Sequence, residues 1–219
     1  MDIQFFLKER LQFAEYFYDN GAKPFISIMS DIENQKAPYI PQYSESDEPP
    51  FLCEWLEARD GLNSIGLATV SMLSSAVQLY FSAWTDRIER SNNKLDRKGK
   101  KGWLNAYKKI TSDFGADYST CPANFDLIEQ TVLARNRTQH AESITSNGVS
   151  HSKNDLSKFP SPHFVSESDK GMFNSNSSWW LTPQIHIDEV NLKAVVSEIE
   201  KLCNWLELEY ERVMSTNYA

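Results

Sequence analysis

The stretch Ile65–Ala83, IGLATVSMLSSAVQLYFSA, lies in the longest periodic part of the 219-residue chain, residues 51–91. Side chains suited to burial recur in it every three or four residues, as on one face of an α-helix. They are Ile65, Thr69, Met72, Ala76, Leu79 and Ala83. Asp60-Gly61 could divide the region into two helices or merely bend one. Small side chains beside the stripe allow another helix, from this chain or a second copy, to approach closely. These small residues are Gly66, Ala68, Ser71, Ser74 and Ser75.

Two more helices are predicted before this region. Residues 3–19 carry apolar side chains at helical spacing. They are Ile3, Phe6, Leu7, Phe13, Ala14 and Phe17. Asn20-Gly21 is predicted to end that helix and Pro24 to begin a short second one, because glycine favours C-terminal caps and proline the first turn. Residues 37–50 combine four prolines with an acidic run, which predicts a loop.

Helical patterns also follow the long region. Residues 103–114 carry aromatic and aliphatic side chains at helical spacing, and Gly115 is predicted to stop that helix. Asn124 is a predicted N-cap for the next helix, and Asp188 for a last one that runs to about Met214. The residues that we expect to face inward on the helix after Asn124 are Phe125, Ile128, Val132 and Leu133.

Residues 143–178 separate these last two helices and are rich in serine and asparagine. We expect an exposed loop or a partly ordered insertion there, and we treat 143–188 as an insertion outside the bundle. The fold class is therefore predicted to be all-α, a bundle of about five helices with a Ser/Asn-rich insertion before the last helix. The length suits a single domain, 1–219.

Composition and charge restrict the classes of function. The net charge of −8 argues against a protein coated in positive charge for nucleic acid. Residues 87–109 nevertheless hold nine basic residues against two acidic ones, and such a patch can contact a phosphate backbone. The three cysteines are far apart and predict reduced thiols. No secretion signal or membrane-spanning run is recognised, so we expect a cytoplasmic protein with no membrane partner.

The residues that indicate chemistry lie late on the penultimate long helix, in VLARNRTQHAE, residues 132–142. Asn136 and His140 are four positions apart and share a helix face. Arg135 lies about 140° from His140 around the helix axis, and its long side chain can still reach over the same surface. An imidazole, a guanidinium and an amide are therefore expected together at one end of the helix.

This set of groups suits cleavage of a phosphodiester without a metal ion. A histidine can take the proton of an RNA 2′-hydroxyl or give one to a leaving oxygen. An arginine matches a phosphate with two hydrogen bonds and stabilises the charge that grows in the transition state. One histidine supplies one proton role at a time, so a two-fold partner would complete an acid–base pair. No histidine or cysteine spacing suggests a metal site, and no cofactor is predicted.

Arg135-Asn136-x-x-x-His140 resembles the R-N-x-x-x-H form of the R-x4–6-H signature of the HEPN superfamily. The helical plan, with a final amphipathic helix after the motif, is similar over most of the chain. The resemblance implies a metal-independent endoribonuclease, with Arg135 and His140 catalytic and Asn136 the polar residue that follows the arginine. It also implies a homodimer, because HEPN nucleases bring two motifs into one cleft. They occur in toxin–antitoxin pairs, abortive-infection systems and RNA-targeting CRISPR effectors.

One departure from the family restricts how such an enzyme could be inhibited. Some HEPN toxins are silenced when a partner nucleotidyltransferase modifies a tyrosine two residues after the histidine. Glu142 occupies that position here, so an antitoxin or other defence-system partner must act differently.

The sequence also predicts contacts with RNA and between copies. The residues that we expect to contact RNA are Arg137, Arg97, Lys98, Lys100 and Lys101. The helix that bears Asn136 and His140 is the expected dimer surface, with the small residues from Gly66 to Ser75 as a possible further contact.

Three interpretations remain open at this stage. The first is a ribonuclease toxin or antiviral effector. The second is a non-catalytic HEPN-like module that binds RNA, a nucleotide or a protein. The third is a helical subunit of a defence complex. A purely structural alternative for the motif itself is a surface ion network of Arg135 and His140 with Glu129 and Glu142.

Overall fold

The computed structural model describes residues 2–43, 47–90, 102–140, 147–167, 169–170 and 182–217. The α-helices with described bounds are α1 (Ile3–Glu33), α2 (Leu52–Arg90), α3 (Trp103–Phe114), α4 (Phe125–Gln139), α5 (Lys153–Lys158) and α6 (Glu189–Asn217), and a 3-10 turn, Tyr118–Thr120, lies between α3 and α4. Extended pairing among the described residues is limited to one isolated antiparallel bridge, between Ser150 and Gln184. The prediction of an all-α fold is confirmed.

Helix α1 is one continuous helix, so the predicted break at Asn20-Gly21 and restart at Pro24 are wrong. Gly21 is a packing site and not a cap, because a Cβ there would lie 3.0 Å from Cδ1 of Ile65 on α2. Pro24 removes one helix hydrogen bond and costs about 3 kcal/mol. Burial of the inner face of α1 against α2 offsets that loss. Its buried residues are Ile3, Leu7, Leu11, Ala14, Tyr18 and Ala22.

Helix α2 is also unbroken and lies antiparallel to α1. A Cβ at Gly61 would lie 2.3 Å from Cε1 of Phe25, so the glycine that looked like a helix breaker makes room for an aromatic ring of α1. The predicted stripe is wrong in part, since Leu79 is 51% exposed while Leu73, Val77 and Trp84 are buried. Apolar and small side chains lie on most sides of α2. Their spacing alone could not identify the side of the helix that faces the core.

Contacts along α6 define the order of the four long helices. Gln4 of α1 donates to Asn204, and the backbone N–H of Asn124, just before α4, donates to Glu198. Gly66 of α2 meets Ile187, and Tyr80 donates to Glu207 further along. Helix α6 is therefore antiparallel to α1 and α4 and parallel to α2. The result is an up–down–up–down bundle in which α2 and α6 are diagonal neighbours.

Helix α2 is long and apolar enough to cross a membrane by length and composition, which the sequence analysis did not recognise. Over half of its most apolar window, 56%, is buried inside the protein. A core helix of a bundle needs this composition, because other helices surround it. The helix is weak evidence for a membrane, and no other described helix has such a window.

One end of the bundle is closed by aromatic side chains and is called the aromatic end. Phe114 of α3 stacks on Tyr210 of α6 with ring centroids 5.8 Å apart, and Trp84 of α2 meets both rings edge-on. Gly115 ends α3 with φ of 118°, as predicted. Arg87 lies over the Tyr210 ring, 3.7 Å from its centroid, and its Nη1 donates to Glu207 at 2.7 Å.

The described part of the predicted insertion is packed on the bundle, so its interpretation as an exposed loop is wrong for 147–167. Val149, Phe164 and Val165 are buried, as are Ile185 and Ile187 just before α6. The Ile185 N–H donates to the Val149 carbonyl at 2.7 Å, which joins the two ends of the segment. Short α5 begins with a capping box of Ser152 and Asp155. The apolar residues are too sparse to form a periodic pattern, yet they anchor the segment.

Candidate functional site

Helix α4 carries the motif and is held between two parts of the protein. Asn124 caps it as predicted, with its side chain accepting from the Leu127 N–H at 3.2 Å. One face, with Leu127, Ile128, Thr131 and Val132, is buried in the bundle. The predicted inward residues Phe125 and Leu133 are only half-buried.

Segment 147–167 covers the opposite side of α4. The His163 N–H donates to Gln130 at 2.8 Å, and Lys158 pairs with Glu129. Leu133 and Arg137 line a narrow crevice against this segment. At the end of α4, beyond these contacts, Asn136 is half-buried and His140 is exposed; these two residues are called the motif strip.

The structure places the three predicted catalytic residues at the last turn of α4. Arg135 is one turn beyond buried Thr131, so it leaves the helix on the same inward side, and it is half-buried. Asn136 is half-buried and His140 is exposed as the C-cap of the helix. Arg135 Nη1 donates to Asn136 Oδ1 at 3.0 Å.

The polar partners of the motif differ from those of the ion network considered above. Within the described ranges, Asn136 is the polar partner of the Arg135 side chain, and no carboxylate pairs with it. Glu129 pairs with Lys158 instead, and Glu142 lies outside the described residues. The His140 imidazole makes no hydrogen bond within the described ranges. The end of α4 therefore carries a guanidinium bonded to a neutral amide and, four residues after that amide, an exposed imidazole.

Arg137, predicted to contact RNA, is half-buried and turned towards segment 147–167. Its Nε donates to the Ser150 carbonyl at 3.1 Å. This contact secures the segment to the motif helix. Sequence reasoning missed this role, and the signal that could have found it is the set of apolar residues around Ser150.

The basic segment 87–109 is not brought to the motif in the part that the structure describes. Arg87 is level with Glu207, nearly twenty residues beyond the start of α6, whereas the antiparallel α4 ends level with that start. Arg87 and the motif at the end of α4 are therefore roughly 30 Å apart along the bundle, at a rise of 1.5 Å per helical residue. Lys108 lies over the Phe125 ring, 4.2 Å from its centroid, at the beginning of α4. Arg97, Lys98, Lys100 and Lys101 lie outside the described residues.

A second imidazole lies beside α4 but inside the protein. His151 is 8% exposed, and its Nε2 is 2.9 Å from the Phe164 carbonyl oxygen. Burial lowers the pKa of His151, and also that of His163 in the same segment. Both rings are therefore favoured in the neutral form and serve packing. Across the described ranges, no three histidine, cysteine, aspartate or glutamate side chains are grouped as metal ligands.

Comparisons of the chain with protein-family models, curated proteins and solved structures find no match. The HEPN-type interpretation therefore depends on the residues themselves, on their placement at the end of α4, and on the helical layout around them.

Proposed function

We propose that the chain is a metal-independent endoribonuclease of HEPN type that cleaves RNA to 2′,3′-cyclic phosphate and 5′-hydroxyl ends. The observation that supports it best is the pairing at the end of α4. The Arg135 guanidinium is bonded to neutral Asn136, and His140 is exposed one turn beyond that asparagine. Among the described residues no carboxylate pairs with Arg135, and a guanidinium that is not neutralised in this way attracts an anion more strongly than one that is.

In this mechanism His140 removes the proton of a ribose 2′-hydroxyl, and the 2′-oxygen attacks the adjacent phosphorus. The bond from phosphorus to the 5′-oxygen breaks, and that oxygen takes a proton as it leaves. The two Arg135 amino groups bind the non-bridging phosphate oxygens, where negative charge grows in the transition state. Asn136 holds the guanidinium in place and can bind a substrate oxygen.

The leaving oxygen needs an acid, and His140 already holds the role of base. A second copy that meets this strip of α4 would supply its own His140 as that acid, which is why the proposal includes a homodimer. A toxin or antiviral effector of this kind would act in the cytoplasm and would be restrained by an antitoxin or another defence-system protein.

The test uses purified protein, a chelator, and a single-stranded RNA paired with a matched oligonucleotide in which every ribose is 2′-deoxy. We expect wild type to cut the RNA alone and to leave 2′,3′-cyclic phosphate ends, detected by mass spectrometry. His140→Ala should lower the rate by about 10² to 10⁴-fold.

Gln139→Ala is the matched control, because Gln139 is an exposed neighbour on the same turn. It should cleave like wild type. Cleavage of the deoxy strand, or a His140→Ala rate equal to that of Gln139→Ala, would show that the proposed mechanism is wrong.

A second candidate is a non-catalytic module that binds RNA, a nucleotide or a protein. Two observations favour it: the net charge of −8, and the engagement of Arg87 by Glu207 far from the motif. This candidate predicts binding without cleavage, and binding weakened by Arg135→Ala but not by His140→Ala. The same set of variants therefore separates the two functions.

A further inference from the structure

Arg137 bonds to both of the parts that meet at the end of α4. Its backbone carbonyl oxygen accepts from the N–H of His140 at 3.2 Å, within the last turn of the helix. Its side chain reaches segment 147–167, where Nε donates to the Ser150 carbonyl at 3.1 Å. One residue therefore connects the proposed catalytic histidine with the segment that covers the helix.

The backbone of this last turn determines where His140 lies. The His140 imidazole makes no hydrogen bond within the described ranges, so no described partner of its own holds it. The bond from the His140 N–H spans three residues and not the four of an α-helix, and the final carbonyl groups of a helix lack helical donors. Helix ends fray for this reason, and the last turn of α4 needs a contact from outside the helix.

Ser150 is a firm point for such a contact. It pairs with Gln184 in the antiparallel bridge. The carbonyl of the residue before it accepts from the Ile185 N–H at 2.7 Å, and the N–H of the residue after it donates to the Pro183 carbonyl at 3.0 Å. Both of these neighbours in the chain are buried. The oxygen that accepts from Arg137 is therefore tied on both sides to the residues that lead into α6.

The Arg137 side chain has little freedom to reach outwards. It is half-buried and lines the crevice between α4 and the segment, together with Leu133, Ala134 and Phe159. The free space in this crevice is about 10 Å³, which is about the room that one water molecule needs. These surroundings favour a positioning role for Arg137 over the contact with RNA that was predicted from the sequence.

We propose that Arg137 is the positioning residue of the motif: its Nε holds the last turn of α4 on the Ser150 carbonyl and so keeps His140 in place for proton transfer. The inference rests on the proposed ribonuclease function, and it assigns a role to a position that the R-x4–6-H signature leaves open. Misplacement of a catalytic group by about 1 Å can cost about 10²-fold in rate. Arg137 acts through His140 and does not touch the reacting atoms.

Three substitutions at residue 137 separate the hydrogen bond from the charge. Arg137→Gln has an amide nitrogen in the place of Nε, so it keeps the donor and loses the charge. Arg137→Lys keeps the charge but has a methylene group in that place, with its ammonium one atom further along the chain. Arg137→Met has a stem of matching length with neither donor nor charge.

Steady-state cleavage of RNA, at a temperature where every variant is folded, is the first measurement. We expect kcat to fall about 10- to 100-fold in Arg137→Met and Arg137→Lys with KM unchanged, whereas Arg137→Gln should remain close to wild type.

Lys158→Met is the matched control for these variants. It removes a different contact of the same segment with α4, the ion pair with Glu129, about two turns before Arg137. Because this contact does not reach the last turn of the helix, Lys158→Met should cleave like wild type.

Exchange of the His140 amide proton, followed by NMR, measures the positioning without any cleavage. This N–H is bonded to the Arg137 carbonyl, so it should lose protection in Arg137→Met and Arg137→Lys and keep it in Arg137→Gln. If wild type did not cut RNA, the proposed function would be wrong, and the exchange pattern would still decide whether Arg137 positions His140.

Three results would overturn the inference. The first is an Arg137→Met variant with the kcat of wild type and full protection at His140. The second is an Arg137→Lys variant that behaves like wild type while Arg137→Gln has a raised KM, which would assign Arg137 to RNA binding. The third is a loss of activity in Lys158→Met as large as that in Arg137→Met, which would indicate a general loosening of the segment.

Discussion

Arg87 and Arg135 lie at opposite ends of the bundle, and the groups that hold them differ in charge. Arg87, at the aromatic end, is bonded to the Glu207 carboxylate and covered by the Tyr210 ring. Arg135, at the motif end, is bonded to the neutral amide of Asn136. Both guanidiniums are partly buried near the end of a helix, so burial alone does not distinguish them.

The difference indicates what each arginine contributes. A guanidinium paired with a carboxylate has its charge neutralised locally, and it holds helices together. A guanidinium held by an amide keeps its positive potential, so it is oriented and still able to bind an anion. We therefore expect substitutions at the aromatic end to change stability and substitutions at the motif end to change activity.

The largest effect is expected from Arg135→Ala compared with Arg87→Ala. Loss of Arg135 removes the group that stabilises transition-state charge and should lower the rate of RNA cleavage about 10² to 10³-fold with little change in melting temperature. Arg87→Ala should leave the rate unchanged. Cleavage assays on both variants at a temperature where both are folded make the measurement, and equal rates would remove the distinction between the two arginines.

Asn136→Asp would give the motif arginine a carboxylate neighbour like that of Arg87. The new carboxylate neutralises the guanidinium and repels phosphate, so we expect RNA cleavage to fall about tenfold or more while the protein stays folded. Asn136→Ala is the control, since it removes the amide without adding charge. If Asn136→Asp were as active as wild type, the neutral charge of residue 136 would not contribute to RNA cleavage.

Glu207→Gln makes the opposite exchange at the aromatic end. The carboxylate accepts from Tyr80 at 2.9 Å and from Arg87, and the amide can replace only part of this bonding. Because the Arg87 side chain is 39% exposed, solvent screens the pair, and we expect a loss of about 1 kcal/mol in the free energy of unfolding. Urea denaturation measures it, and cleavage activity should not change.

The smallest effect concerns pH and should be confined to the motif end. All four histidines lie between residues 140 and 186, and burial lowers the pKa of His151 and His163. Below the ordinary histidine value near 6.5, the unfolded chain binds protons that the folded chain resists, so stability should fall as the pH falls.

Hydrogen exchange at pH 7.5 and 5.5 should show protection lost first in residues 149–165. His151→Gln should reduce the pH dependence of the unfolding free energy. A uniform loss of protection across both ends of the bundle would contradict a local histidine effect.

The fold class, the short α3, and the caps Asn124 and Asp188 were predictable, because periodicity and capping are local properties. The continuity of α1 and α2 was not, because Gly21 and Gly61 act through close contacts with the other helix. A glycine at a packing site and a glycine at a helix end have the same sequence signature.

The candidate site was predictable in composition but not in context. The placement of Arg135, Asn136 and His140 follows from helix geometry. The role of Arg137 and the cover over α4 depend on segment 147–167, whose buried residues are scattered along the chain. The exposure of Phe6, 52%, and of Phe13, 59%, could not be foreseen either, since an aromatic stripe on a helix has the same spacing whether it faces the core or the solvent.

The cover on both sides of α4 has a consequence for how the protein is made. Two of the parts that enclose this helix, residues 149–165 and α6, are synthesised after it, whereas α2 is synthesised before it. A nascent chain that ends at His140 has α2 to pack against α4, but it has neither of these two later supports. If the chain cuts RNA, we expect that activity to begin only after α6 has been made, and fragments that end before residue 149 should be inactive.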